Sequence, residues 1–274
     1  MHKVLKKIDL APRIKLLEID APKIAVKAKA GQFVIMRIDE KGERFPLTLA
    51  DWDPKNGMIT IVFLEVGVST IKLGAIEAGE NVRDILGPLG NPSDIKHLGS
   101  VAVVCGGVGT AAAYPIAKAL KKAGNQVVSI IGAKTEELLI LEDEMRSSSD
   151  ELYISTDDGS KGHKGFVSEV LETLIETGYR FDLVYAIGPP LMMKATVNVT
   201  KHHSIKTIVS LNPIMVDGMG MCGACRVTVD GRTKFACLDG PEFDGNLVDF
   251  DELIKRLRAY LPEEKQAMSQ LDEM

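Results

Sequence analysis

Three cysteines fall within sixteen residues, at Cys222, Cys225 and Cys237, in a loop that opens with an aspartate: Asp217-Gly-Met-Gly-Met-Cys222-Gly-Ala-Cys225. The cysteine spacing is C-x2-C-x11-C. Plant-type [2Fe–2S] sites use C-x4-C-x2-C with a distant fourth ligand, and Asp217 stands where the first cysteine of that spacing would be. Thiolates donate to iron, and a carboxylate can do so as a harder anionic ligand. Gly218, Gly220 and Gly223 let such a loop fold tightly and bring backbone N–H groups towards sulfur. The candidate metal ligands are therefore Asp217, Cys222, Cys225 and Cys237. The same four residues could hold a structural zinc ion, which takes four tetrahedral ligands. The cysteines could also be inert buried thiols, and Asp217 a turn residue. The fourth cysteine, Cys105, ends an apolar run and reads as core.

A second group sits where strands should end. Gly106-Gly107-Val108-Gly109-Thr110 lies between the apolar run 101–105 and a helical pattern. Glycines there permit a tight turn and close approach of a pyrophosphate to a helix N-terminus. The stretch is not G-x-G-x-x-G, and a packing turn would explain it too. Thr156-Asp157-Asp158-Gly159 and Gly188-Pro189-Pro190 follow two further runs, where doubly wound sheets bind ligands. After the second strand, Lys134 could meet a 2′-phosphate and Glu136 a ribose hydroxyl, so NAD and NADP are not separated.

A third group is Arg44-Phe45-Pro46-Leu47-Thr48 with Gly67-Val68-Ser69-Thr70. An arginine and a Gly-x-Ser-Thr turn could clamp a phosphate, and Thr48 could hydrogen-bond a ring. They could equally be ordinary barrel residues. None of the five histidines sits in a catalytic motif, and His202 and His203, near a helix end, are expected to face solvent.

These residues need elements to position them. Segments 31–38, 44–50 and 58–66 read as strands broken by Gly, Pro, Asp and Asn, with a short helical stretch at 69–76. Short strands with regular turns over 1–98 predict a small closed antiparallel barrel. From 99 to 212 apolar runs at 101–105, 126–133, 151–158, 182–189 and 206–214 alternate with helical patterns, including 136–146, 165–178 and 190–203. Such alternation predicts a buried parallel, doubly wound sheet of about five strands. Residues 213–248 are Gly-rich and hold the clustered cysteines. Residues 249–274 form a helical tail.

The chain has 274 residues, 45% hydrophobic and 26% charged, with a net charge of −5. That length can bury a core without disulfides or structural metal, so metal ligands here point to function. The charge balance argues against nucleic acid or anionic lipid as partner. From Asp239 onward ten acidic residues face four basic ones, a solvated face or a docking surface. No run approaches the roughly 20 apolar residues of a membrane span, and the N-terminus has no signal-like stretch. A cytoplasmic location is expected, where clustered cysteines suggest metal.

In order along the chain the three stretches resemble the ferredoxin reductase flavoprotein superfamily: a flavin barrel, a nicotinamide nucleotide domain and an added C-terminal [2Fe–2S] module. The resemblance covers nearly the whole chain. Within the superfamily, the chain is similar to the small (alpha) subunits of electron-bifurcating NADH-dependent ferredoxin:NADP oxidoreductases, also known as sulfide dehydrogenase subunits. Electron-transfer subunits of dihydroorotate dehydrogenase share the layout with four cysteine ligands, so Asp217 favours the bifurcating family.

The resemblance implies an FAD-binding barrel over 1–98, an NAD(H)-binding α/β domain over 99–212 and a [2Fe–2S] module over 213–248. Arg44, Pro46, Leu47 and Thr48 would contact FAD, with Thr48 near the ring and Gly67, Ser69 and Thr70 at its pyrophosphate. Gly106, Gly107, Gly109 and Thr110 would take the NAD pyrophosphate, with Asp157, Gly188, Pro189 and Met192 near the nicotinamide nucleotide. Many relatives carry Cys at the position of Ile187 and Pro at that of Ala112. Neither change removes a phosphate contact, though both bear on hydride-transfer geometry. The chemistry is flavin-centred, with no acid–base residue required. The implied partner is a larger subunit similar to the glutamate synthase small chain, carrying FAD and [4Fe–4S] clusters, with ferredoxin reached through the complex. The alternatives are service to dihydroorotate dehydrogenase, a stand-alone NAD(P)H reductase, or a zinc-knuckle interaction module.

Overall fold

The computed structural model describes residues 1–272. In its first part, strands β1 (His2–Ala11), β2 (Ile14–Asp20), β3 (Phe33–Arg37), β4 (Phe45–Asp53), β5 (Met58–Leu64), β6 (Asn81–Val82) and β7 (Asp84–Leu89) are joined by two short helices, α1 (Pro22–Ala25) and α2 (Val68–Gly74). The order β6-β1-β2-β5-β4-β3-β7 is antiparallel throughout. Only Arg83 separates β6 from β7, so the chain joins the two ends of the sheet and closes it into a barrel. Alternation fills the barrel: Leu17, Ile19, Ile59, Ile61 and Phe63 point inward and form one cluster with Val34, Met36 and Leu49.

The second sheet is built from β8 (Ser100–Gly106), β9 (Gln126–Ala133), β10 (Glu151–Thr156), β11 (His163–Lys164), β12 (Leu183–Ile187) and β13 (Thr207–Ser210), all parallel. The helices between them are α3 (Gly109–Lys122), α4 (Glu142–Ser147), α5 (Val167–Glu176) and α6 (Pro190–His202). β8 shows why its run is continuously apolar. Val101, Val103 and Cys105 face Ala113, Ile116 and Leu120 of α3. Ala102 and Val104 face Val167, Leu171 and Leu174 of α5 on the other side. Both faces are buried, as parallel sheets require. The continuous helix expected over 136–146 is interrupted: Leu141 takes φ +55, and α4 begins only after it.

The remaining chain forms a hairpin of β14 (Arg226–Val229) and β15 (Arg232–Phe235), then β16 (Glu242–Asp244), α7 (Phe250–Leu257) and α8 (Leu261–Asp272). Asp249 caps α7 by accepting a hydrogen bond from the Glu252 N–H at 2.9 Å. β16 adds antiparallel to β13, so the cysteine-bearing segment extends the second sheet. Among the described residues no helix is long and apolar enough to cross a membrane. His202 and His203 are exposed.

The segment between barrel and second sheet is pinned from both sides. Ser93 N–H donates to the Ala30 carbonyl at 2.9 Å, and Asn91 N–H to Gly240 at 2.7 Å. Buried Asn125 accepts from Leu98 and Gly99 and donates to the carbonyls of Lys96 and Leu120.

Candidate functional site

The cysteine loop is organised by its aspartate. Asp217 Oδ1 accepts from Met219 N–H at 2.9 Å, and Oδ2 accepts from Met221 at 3.0 Å and Cys222 at 2.7 Å. These bonds, that from Met219 foremost, hold the carboxyl below the usual carboxylate range. Of roughly four lone-pair positions on the carboxylate, three are used and one on Oδ1 is left. Cys225 and Cys237 are buried with their sulfurs 3.2 Å apart. Burial pushes the Cys237 thiol up to about 12, so as a free thiol it stays protonated. Cys222 is exposed and lies beside Asp217.

The four candidate ligands thus stand as two pairs, Asp217 with Cys222 and Cys225 with Cys237. Among the described residues no three His, Cys, Asp or Glu side chains converge as one metal ion would require. A two-iron cluster needs two ligands per iron, which the two pairs offer, whereas one zinc ion needs four ligands converging on a point.

The loop lies on the barrel. Gly218, at φ +71, packs so closely on β3 and β7 that a β-carbon there would come within 2.6 Å of Ile35 and 2.9 Å of Leu89. Phe33, Ile35, Met215, Cys225, Ala236 and Cys237 form one buried cluster. Along one edge β3 pairs with β4, matching Ile35 to Pro46, Val34 to Leu47 and Phe33 to Thr48, and along the other with β7. The cysteine loop therefore packs on the strand that neighbours the Arg44–Thr48 motif.

Arg44 is exposed at the start of β4, and among the described residues its guanidinium has no hydrogen-bond or ion-pair partner. Next to it, Glu43 accepts a 2.7 Å bond from the Ser69 hydroxyl, which ties the start of β4 to α2. Thr70 Oγ1 is engaged locally, accepting from Val66 and Gly67 N–H and donating to the Gly67 carbonyl. The structure thus brings 44–48 and 67–70 to one place, with Arg44 free and the two hydroxyls occupied. Glu43 carries no sequence signal that would have singled it out.

The four glycines between and after the strand ends divide into two roles. A β-carbon on Gly106 would meet Met192 Sδ at 2.7 Å, and one on Gly109 the Ile187 carbonyl at 2.6 Å. Gly188 approaches Gly106 equally closely, with a β-carbon 3.1 Å from its backbone. These three are needed for packing β8, β12 and α3 together. Gly107 differs: at φ +56 its missing side chain would point into open space. It lies just before α3, where the Thr110 and Ala111 N–H groups donate to the Gly107 and Val108 carbonyls, both at 3.1 Å. Thr110 is buried with its side chain against Cys105, so its hydroxyl does not face that space. Burial raises the Cys105 thiol to about 12, consistent with a core residue. Asp157 is exposed at the end of β10, its N–H bonded to the Ala133 carbonyl at 3.1 Å. Pro189 and Met192 border the same end of the sheet.

Comparison with known proteins matches residues 103–198 to the oxidoreductase NAD-binding domain family. Residues 212–249 match the iron–sulfur cluster binding domain of dihydroorotate dehydrogenase B. A relative from Thermotoga maritima, a homolog of the electron transfer subunit of dihydroorotate dehydrogenase B (NAD(+)), is 48% identical over 97% of this chain and 93% of its own. The dihydroorotate dehydrogenase B electron transfer subunit of Clostridium perfringens is 32% identical over 90% of this chain and 97% of its own. A solved chain of NADH-dependent reduced ferredoxin-NADP oxidoreductase, studied for flavin-based electron bifurcation, superposes with a TM-score of 0.94 at 46% identity, over 99% of this chain and 98% of that one.

Proposed function

This chain belongs to the family of dihydroorotate dehydrogenase B electron transfer subunits and their homologues, and from that premise we propose that it carries electrons within a bifurcating ferredoxin:NADP oxidoreductase. FAD, when bound, exchanges a hydride with nicotinamide and single electrons with an iron–sulfur cluster, which is the chemistry such a subunit needs. The protein contributes binding and orientation.

In this reading Arg44 holds an FAD phosphate, and β4 through Pro46, Leu47 and Thr48 lines the flavin. Gly107 leaves room for the NAD pyrophosphate at the N-terminus of α3. Asp157, Gly188, Pro189 and Met192 border the nicotinamide nucleotide. Asp217 and Cys222 hold one iron, and Cys225 and Cys237 the other. The observation that carries the reading is a shared neighbour: β3 pairs along one edge with β4, which bears residues 46–48, and Gly218 of the cysteine loop packs on its Ile35. Paired strands lie about 4.8 Å apart, so the two binding segments are held close together for electron transfer.

The proposed partner is a larger flavin- and [4Fe–4S]-bearing subunit, with ferredoxin reached through it. A second reading, service to a dihydroorotate-oxidising subunit, draws on the match over 212–249. Asp217 in place of a cysteine favours the first. Anaerobic purification of tagged chain from its host, with FAD and iron analysis and identification of the co-purifying subunit, tests both. Recovery of the larger iron–sulfur flavoprotein supports the bifurcating assignment. Recovery of a dihydroorotate dehydrogenase catalytic subunit supports the second, and a colourless zinc protein refutes both.

A further inference from the structure

Glu242 is a titratable group that none of the roles above uses, and it sits where the three parts of the chain meet. It lies on β16, five residues after Cys237, opposite Ser210 of β13. Its carboxylate accepts a hydrogen bond from the Ser93 hydroxyl, on the segment that joins barrel to second sheet. Ser93 N–H is bonded in turn to Ala30 of the barrel. Gly31, at φ +83, passes so close that a β-carbon there would stand 2.8 Å from Glu242 Oε1. Two residues on, Phe33 pairs with Thr48, the residue assigned to the flavin ring. Pro241, next to Glu242, closes against Gly90 and Phe33. The carboxylate, five residues after the last candidate cysteine ligand, is therefore lodged between the segment that leads into β3, the neighbour of the strand with the proposed flavin residues, and the joining segment at Ser93.

Among the described residues no cation adjoins it that would fix its charge. The titratable groups facing it are Asp94 on the joining segment and buried Tyr185 on β12, both without positive charge. Lys96, the nearest lysine in sequence, is paired to Asp94 at 2.6 Å and lies outside in solvent. Burial first, and Asp94 second, push Glu242 up to about 7, against the one opposing bond from Ser93. Tyr185 is itself raised, by burial and then by Glu242 and Asp94.

We propose that Glu242 is a proton-coupling residue: it takes up one proton from solvent when an electron arrives on the redox groups beside it, and gives it back when the electron leaves. This rests on the functional reading above. The balance is one electron in and one proton on the carboxylate, with no bond to a cofactor formed or broken. The physical reason is charge. An added negative charge nearby raises the affinity of an ionised carboxylate for a proton, and a carboxylate already poised near neutrality responds most. Hydride transfer moves two electrons and one proton together, whereas transfer to a cluster moves single electrons, so a site that stores a proton close by suits the junction of the two.

The test uses the full chain with FAD and cluster in place, compared with Glu242→Gln. Reduction potentials of flavin and cluster are measured across the neutral range, alongside infrared difference spectra of reduction. The native chain should show a change of slope in potential against pH near neutrality and a carboxyl protonation band. Glu242→Gln should lose both while keeping flavin and iron content. Ser93→Ala keeps the carboxyl but removes the bond that favours its ionised form, so the change of slope should move to higher pH. Identical pH profiles for the native chain and both variants, with cofactors bound, would overturn the proposal and leave the functional reading standing. A chain that binds neither FAD nor iron would overturn both.

Discussion

Gly218 lies so close to Ile35 that a β-carbon on it would come within 2.6 Å of Ile35 Cγ1. At φ +71 it also holds a backbone conformation that side chains disfavour. Both facts make the seat of the cysteine loop on the barrel sensitive to one residue. Gly218→Val should lift the loop from β3, with strain of about 1–3 kcal/mol. Iron retention after gel filtration should fall while FAD content stays native. Native iron content and spectrum in this variant would show that the loop does not depend on that contact.

Among the described residues the Arg44 guanidinium, proposed to hold an FAD phosphate, has no partner of its own. Arg44→Ala should remove a charge-assisted phosphate contact of about 1.5–3 kcal/mol, which weakens FAD retention about ten- to hundred-fold. The fold should persist, since Arg44 supports nothing else. The check is flavin content after dialysis, with circular dichroism as control. Full retention of FAD would remove Arg44 from the site. Ser69→Ala should have a smaller effect, because its hydroxyl is already held by Glu43.

Gly107→Val should raise the KM for NADH by roughly tenfold or more, because a β-branched side chain at positive φ is strained and would fill the open space above the turn. FAD and iron should remain bound. Steady-state kinetics with NADH and a one-electron acceptor decide it. An unchanged KM would mean that the turn only packs.

Glu242 also predicts how stability depends on pH. Its folded value is raised to about 7 from an ordinary 4.5, so the carboxyl favours the folded chain when protonated. That contribution is fully present below about pH 4.5 and fades as pH rises through about 7. Glu242→Gln stays neutral, so it should gain on the native chain as pH rises, by at most about 3 kcal/mol. Melting curves of both chains at acidic and mildly alkaline pH measure this. A constant difference between them would exclude a titrating Glu242.

Much of the fold was legible because local pattern and burial agree. The run 101–105 is apolar on both faces because α3 and α5 cover it on either side. The segment around 217–237 stood out because three cysteines at short spacing in a Gly-rich stretch are a pattern carried by the sequence itself, and it falls within the match to an iron–sulfur cluster binding domain. Other features were not legible. β1 carries three lysines and buries only Val4 deeply, so its pattern looks like a polar terminus until β2 and β6 pair with it. β16 has three residues, and its strand character comes wholly from pairing with β13. The break at Leu141 replaces what local propensity favours, a continuous helix. Glu242 looks like one more acid in an acidic tail, and only the fold brings it against Ser93 and Gly31.

The last prediction separates two roles for Asp217. Its carboxylate accepts three backbone N–H bonds within its own loop, at 2.7–3.0 Å. That alone would explain an aspartate here, without any iron. One lone-pair position on Oδ1 remains, enough for a single bond to metal. Asp217→Ala removes both functions and should lose iron or hold it loosely under either role. Asp217→Cys separates them, since a thiolate replaces the metal bond but cannot reproduce the three hydrogen bonds. If Asp217 is a ligand, the cysteine variant should keep a [2Fe–2S] cluster with a changed reduction potential and electron paramagnetic resonance spectrum, because sulfur is the softer donor. If Asp217 only organises the loop, the cysteine variant should resemble the alanine variant, with iron lost from both. Asp217→Asn completes the series: it keeps an acceptor for part of the network and removes the negative charge. Iron content and spectra of the three variants, prepared without oxygen, decide the matter. Loss of iron from the cysteine variant to the level of the alanine variant would rule out ligation by Asp217.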